Sequence, residues 1–208
     1  MASTPETQTE PEPEPETLFS ILTTERWLHN DITSFIVFQP NGTGHLLFGG
    51  DLAPSFVRGF DWKALNTPAL EHTINVPTSN NTRTLAHLSL EITITNYDPF
   101  PEYYDEKNRP AARTEYNDLN EEGMLPKTYT VRLESGRFAM PVMMDLYGKE
   151  DFTGSRRSRL RLAFDKSPYR PRQEWKRERF GIDSMKRETV IFVARAIQEN
   201  TWDNCVVI

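Results

Sequence analysis

The sequence predicts an all-β domain, a single antiparallel barrel in preference to a β-sandwich, with few short helices. Three observations carry this. Strict apolar–polar alternation recurs along the chain, most cleanly in LAHLSLEITITN at 85–96. Turn signals rich in Gly, Pro and Asn separate the alternating segments, and helical patterns are confined to short pieces. Closure into a barrel is favoured because it removes the free sheet edges that aggregate.

In chain order, residues 1–16 form a Pro/Glu tail with five glutamates and no basic group, which cannot bury apolar surface and is expected to be disordered. The domain is expected over 17–200. It opens with TLFSILTTERWLHN, an apolar turn or helix leading to Trp27. TSFIVFQPNGTGHLLFGG places two β-forming runs, Phe35–Phe38 and Leu46–Phe48, around Pro40–Gly44, and Asn and Gly supply the positive φ angles of a hairpin. FVRGFDW puts Phe56, Phe60 and Trp62 on one face, and EHTINV reads as a short strand.

In the clearest strand, Ala86, Leu88, Leu90, Ile92 and Ile94 face one way and His87 to Thr95 at odd numbers face the other. TYTVRLESGRFAM repeats the device with Tyr129, Val131 and Leu133. RLRLAFD repeats it again, with Leu160, Leu162 and Phe164 inward and Arg159 and Arg161 outward. The β-branched content of TVIFVARAI favours a last strand over a helix.

One connection is abnormally long. Residues 97–125 separate two strong strands by 29 residues, with eight acidic and three basic groups and five aromatics. Such loops are either surface insertions or functional lids. A surface insertion is the plainer reading; an aromatic lid over a barrel mouth is the sharper one.

Composition narrows the class. A single cysteine forbids an internal disulfide and fits a reducing compartment. The N-terminal stretch lacks the basic start and apolar run of a secretory signal, and no stretch approaches the roughly 20 apolar residues of a membrane span. A cytoplasmic protein is expected, so the Asn41 and Asn80 glycosylation patterns read as chance matches. The net charge of −6 conceals segregation: residues 156–187 carry twelve Lys or Arg against four acids.

Five phrases occur in order: FQPNGTGHL, FDWKAL, LEITIT, LPKTYTVRLESGRF and LRLAFDKSPYRPRQEWK. Together, over about residues 25–177, they resemble a family of uncharacterised proteins of filamentous fungi that share an F-x-P-x-G-T-G-x-L hairpin and an S-P-Y-x-P-R-x-E-W-K segment. The resemblance implies a lipocalin-type or fatty-acid-binding-protein-type barrel. It brings no catalytic residues with it.

The chemistry is sparse. The tail 201–208 ends in Cys205-Val206-Val207-Ile208, a CaaX-like pattern whose thiol a prenyltransferase could modify, with an aliphatic last residue closer to the geranylgeranyl type. One prenyl chain gives only marginal membrane binding, so the basic stretch 156–187 would have to supply a second contact with the membrane surface. That stretch, with Tyr169, Trp175 and Phe180, also admits a nucleic-acid reading. However, Arg159 and Arg161 alternate with core residues as on any outward strand face, the total charge is negative and no nucleic-acid module is present. His29, His45, His72 and His87 are scattered singly, which gives no support to a metal site. No nucleophile elbow, phosphate loop or dinucleotide fingerprint occurs, and no cofactor is implied. Asp61 and Glu174, each beside a tryptophan, are the acids to inspect, although a surface acid next to a core aromatic is the commoner arrangement.

The expected function is non-enzymatic: a barrel burying a small apolar ligand among Phe38, Phe60, Trp62 and Tyr129, with Cys205 as a membrane tether. The alternatives are an accessory enzyme of the cyclase or isomerase type, by analogy of fold only, and a protein-interaction module with a solid core. A barrel of this size can fill its interior with its own side chains.

Overall fold

Period-two alternation becomes eight strands that close on themselves. The computed structural model describes residues 15–30, 34–50, 53–96, 119–148, 156–176 and 189–197. The ring contains β2 (Arg26–Leu28), β3 (Phe35–Phe38), β4 (Thr43–Gly50), β5 (Ala53–Ala64), β7 (Arg83–Ile94), β8 (Lys127–Ala139), β9 (Arg157–Phe164) and β10 (Ile191–Ala196). Its order is β10-β2-β3-β4-β5-β7-β8-β9, closed and antiparallel throughout. Each strand of the ring therefore pairs with the next one in the chain, and β10 returns to β2. The expected barrel is correct, and the sandwich alternative is not.

The EHTINV strand is real but lies outside the ring. β6 (Thr73–Ile74) pairs with β1 (Glu16–Thr17), so β1 begins inside the stretch read as a tail. Helix α1 (Leu18–Thr24) follows directly, capped by Thr17, whose Oγ1 accepts from the Ser20 N–H at 3.1 Å. Its Leu18, Ile21 and Leu22 join the core.

The alternation assigns the inward face. Leu88, Leu90, Ile92 and Ile94 of β7, Tyr129, Val131 and Leu133 of β8, Leu160 and Leu162 of β9 and Phe192 of β10 are all buried in one cluster. Each such side chain contributes roughly 1.5–3 kcal/mol on leaving water. Arg58 shares the inward parity of Phe56, Phe60 and Trp62 on β5.

A meander alternates its connections between two ends. The lower end holds the β3–β4 turn, where Gly42 adopts φ 84, together with the connection 65–82, which carries α2 (Thr67–Leu70). The upper end holds the β7–β8 and β9–β10 connections. Helix α3 (Pro141–Tyr147) starts with proline and stops at Gly148, φ 66, whose N–H bonds to Met144 O. It covers the outside of the barrel, where Val142 and Met143 pack on Leu28, Phe138, Met140 and Val193. No described helix is long and apolar enough to cross a membrane.

Candidate functional site

Three of the four residues expected to line a cavity meet at the lower end. The Phe38 ring lies 5.5 Å from Phe60 and 5.4 Å from Trp62, both edge-on. The Trp62 indole N–H donates to Gln39 O at 3.1 Å and Thr43 O at 2.9 Å, tying β5 to the β3–β4 turn. Phe19 of α1 covers it at 6.3 Å. Tyr129 lies apart, near the upper end, 5.9 Å from Phe164. Phe38, Phe60 and Tyr129 keep 0%, 1% and 1% of their surface accessible. Almost all of their surface is therefore taken up by neighbouring protein atoms rather than by open space.

The upper end is plugged by the chain after β9. Pro168 and Pro171 cannot extend a ladder, so the segment leaves the sheet and folds across the mouth. Tyr169 turns inward: its hydroxyl donates to Leu47 O at 2.8 Å and its ring contacts Phe48, Phe56 and Phe192. Burial pushes its pKa well up. Arg170 is 1% exposed and donates through Nη1 to the Tyr129 hydroxyl at 3.2 Å and through Nη2 to Leu125 O at 3.0 Å. Burial lowers its pKa, opposed by Tyr129 and Glu174, while burial raises that of Tyr129 despite the nearby Arg170 charge. Glu174 is buried and pairs with Lys127. The Trp175 indole donates to Arg170 O at 3.0 Å and its ring rests on Phe56. Residues 119–125 seal the plug, since the Asn120 backbone N–H and side chain donate to Glu174 O and Gln173 O, each at 2.9 Å.

Tyr169 and Trp175 stack inside the mouth, and Arg132 and Arg161 converge on the buried carboxylate of Glu134 at 2.6 Å each. Of the two acids singled out, Asp61 is exposed and Glu174 is the buried one. His87 is exposed, as its strand face predicts, and among the described residues no group of three potential ligands could hold a metal. Cys205 with the tail 201–208, residues 1–14, 97–118 and 177–188 lie outside the described residues, so the lipidation site and most of the long acidic insertion do too.

A second feature escaped the sequence reading. A groove of about 580 Å³ opens outside the barrel, between β6 with its continuation to Thr78, β1, and two arginines of the barrel wall. Arg195 binds Glu16 through two N–H groups at 2.8 and 3.0 Å and Glu25 at 2.6 Å, and it holds φ 60, the left-handed region that is costly for a residue with a Cβ. Arg159 donates from Nη1 to Thr78 O and Ser79 O, 2.9 Å each. Neither role has a local sequence signature, because both depend on β1 and β6 meeting beside the barrel. No protein-family model matches the chain, and comparison with curated proteins and with solved structures finds no significant match.

Proposed function

We propose that the protein is a non-enzymatic binding module whose barrel is a solid scaffold and whose partner is met on the outer surface. The observation that carries this is the packing of Phe38, Phe60 and Tyr129, which leaves at most 1% of their surface accessible, while an open groove lies outside. Ligand pockets of small-molecule barrels are preformed and hundreds of Å³ in size, which the surroundings of these three side chains are not.

A second reading keeps the apolar ligand inside the barrel, beneath a displaceable plug. It is favoured by the Arg170–Glu174 contact, where two buried polar atoms face each other without a hydrogen bond. The catalytic alternative rests on Glu174 alone, and Lys127 already occupies that carboxylate.

The test is titration with a fluorescent fatty acid, following both the probe and the intrinsic tryptophan emission. The solid-scaffold reading expects no saturable uptake. Stoichiometric uptake that quenches tryptophan, abolished by a bulky substitution at an inward position such as Leu133→Trp, would overturn it in favour of the second reading.

A further inference from the structure

We infer that the outer groove binds an extended acidic segment of a partner protein, which adds as a strand beside β6. The inference rests on the solid-scaffold reading and supplies its ligand class.

The floor and edge are built for a peptide. Ile74 is buried and Val76 packs on the core, so the base of the groove is apolar. The pairings Leu18–His72 and Glu16–Ile74 place even-numbered residues in hydrogen-bonding positions. Carried one step on, the alternation turns the Val76 N–H and C=O to the same side as β1, whose pairing with β6 runs over Glu16 and Thr17. Between Ile74 and Arg83 the chain belongs to no ladder, and the N–H groups of Asn75, Val76 and Thr78 hold no hydrogen bond among the described residues. Exposed backbone groups next to an apolar strip are what strand addition uses: main-chain bonds give affinity and alternate side chains give specificity.

Charge sets the specificity. Arg195 is neutralised by Glu16 and Glu25. Among the described residues Arg159 has no carboxylate partner; its bonds there all leave from Nη1 to uncharged oxygens, at Thr78, Ser79, Asn80 and Gly136. Its Nε and Nη2 N–H groups remain for an incoming carboxylate, which the planar guanidinium fork takes in two parallel bonds. The pairs that hold Arg195 in its left-handed conformation fix the far wall, so the groove is formed before the ligand arrives.

The experiment uses capped, fluorescein-labelled eight-residue peptides in which Glu, Gln or Lys alternates with Val, added to the full chain. Anisotropy is expected to show saturable binding of the Glu peptide, weakened by salt, with the Gln peptide about tenfold weaker or more. Amide shifts in the unmodified chain are expected to concentrate at Asn75, Val76 and Thr78, which reads the site without any variant. Arg159→Gln is expected to reduce the Glu peptide to the level of the Gln peptide.

Equal binding of Glu and Gln peptides, shifts clustered elsewhere, or no binding to the full chain overturns the inference. Binding that appears only after deletion of residues 1–14 also overturns it, because the chain's own PEPE at 11–14 would then be the occupant. If the fatty acid is excluded and the peptides also fail, the solid scaffold stands and only this ligand class falls.

Discussion

Across 3.9 Å, the Nε of Arg170 faces the Oε2 of Glu174, both buried and neither holding a hydrogen bond. Their other atoms are engaged, by Tyr129 and Leu125 on one side and Lys127 on the other. Removing one charge of such a pair strands the other in the mouth. Arg170→Ala is therefore expected to cost roughly 3–5 kcal/mol in urea denaturation, and Arg170→Met with Glu174→Gln less than Arg170→Ala alone. A double variant less stable than the single would show that the two groups are energetically independent.

Tyr169 makes stability depend on alkaline pH. Its pKa is raised well above 10 by burial, so the folded state favours the neutral phenol. The resulting stability is complete below the ordinary tyrosine range and is lost as pH rises through the raised value. Tyr169→Phe loses the bond to Leu47 O, about 1 kcal/mol at neutral pH, and its disadvantage should shrink and then reverse as pH climbs past 10. Denaturation midpoints of both chains between pH 8 and 11 check this.

His45 acts in the opposite direction. Burial first, and the Arg26 charge second, lower its pKa from 6.5. The unfolded chain then takes up the proton more readily, so stability is present above 6.5 and falls as pH drops through the lowered value. His45→Gln should flatten the decline below pH 6.5, and an unchanged profile would remove His45 from the account.

Gly44 is required by space rather than by its backbone angle. A Cβ there would overlap the Phe60 ring and the Val37 carbonyl oxygen of the paired strand. Since the carbonyl cannot move without breaking the β3–β4 ladder, Gly44→Ala should cost at least about 3 kcal/mol, measured by chemical denaturation.

Arg195 separates strain from pairing. Both Arg195→Ala and Arg195→Gly lose Glu16 and Glu25, but only glycine accepts φ 60 without penalty. The glycine variant should be the more stable of the two by about 1 kcal/mol, a ranking that thermal denaturation resolves.

The strands were legible because burial on one face writes itself into the chain as alternation: Leu88 to Ile94 and Leu160 to Phe164 announce both the element and the side that faces the core. The inward turn of the segment SPYRPRQEWK was not legible, because Tyr169 and Arg170 lie outside any period. Only the contacts with Leu47, Tyr129 and Leu125, each more than forty residues away, show that they turn inward. The two prolines were the available signal, since they bar the segment from the sheet that its neighbours continue. Phe38, Phe60, Trp62 and Tyr129 were correctly placed inward, but the sequence could not say whether they surround space or one another. For the groove there was less still, as Arg159 and Arg195 look like ordinary outward residues of two strands.

The ring is joined at one narrow place, where β10 meets β2 through the pairing of Val193 with Leu28. The first strand of the barrel thus waits for the last. During synthesis β2 through β9 can emerge and pair in turn, but no circle exists until residues 191–196 have left the ribosome. Until then two unpaired borders, on β2 and β9, face solvent or a chaperone. Lesions that slow translation late in the message should therefore cost far more soluble protein than equal delays early in it.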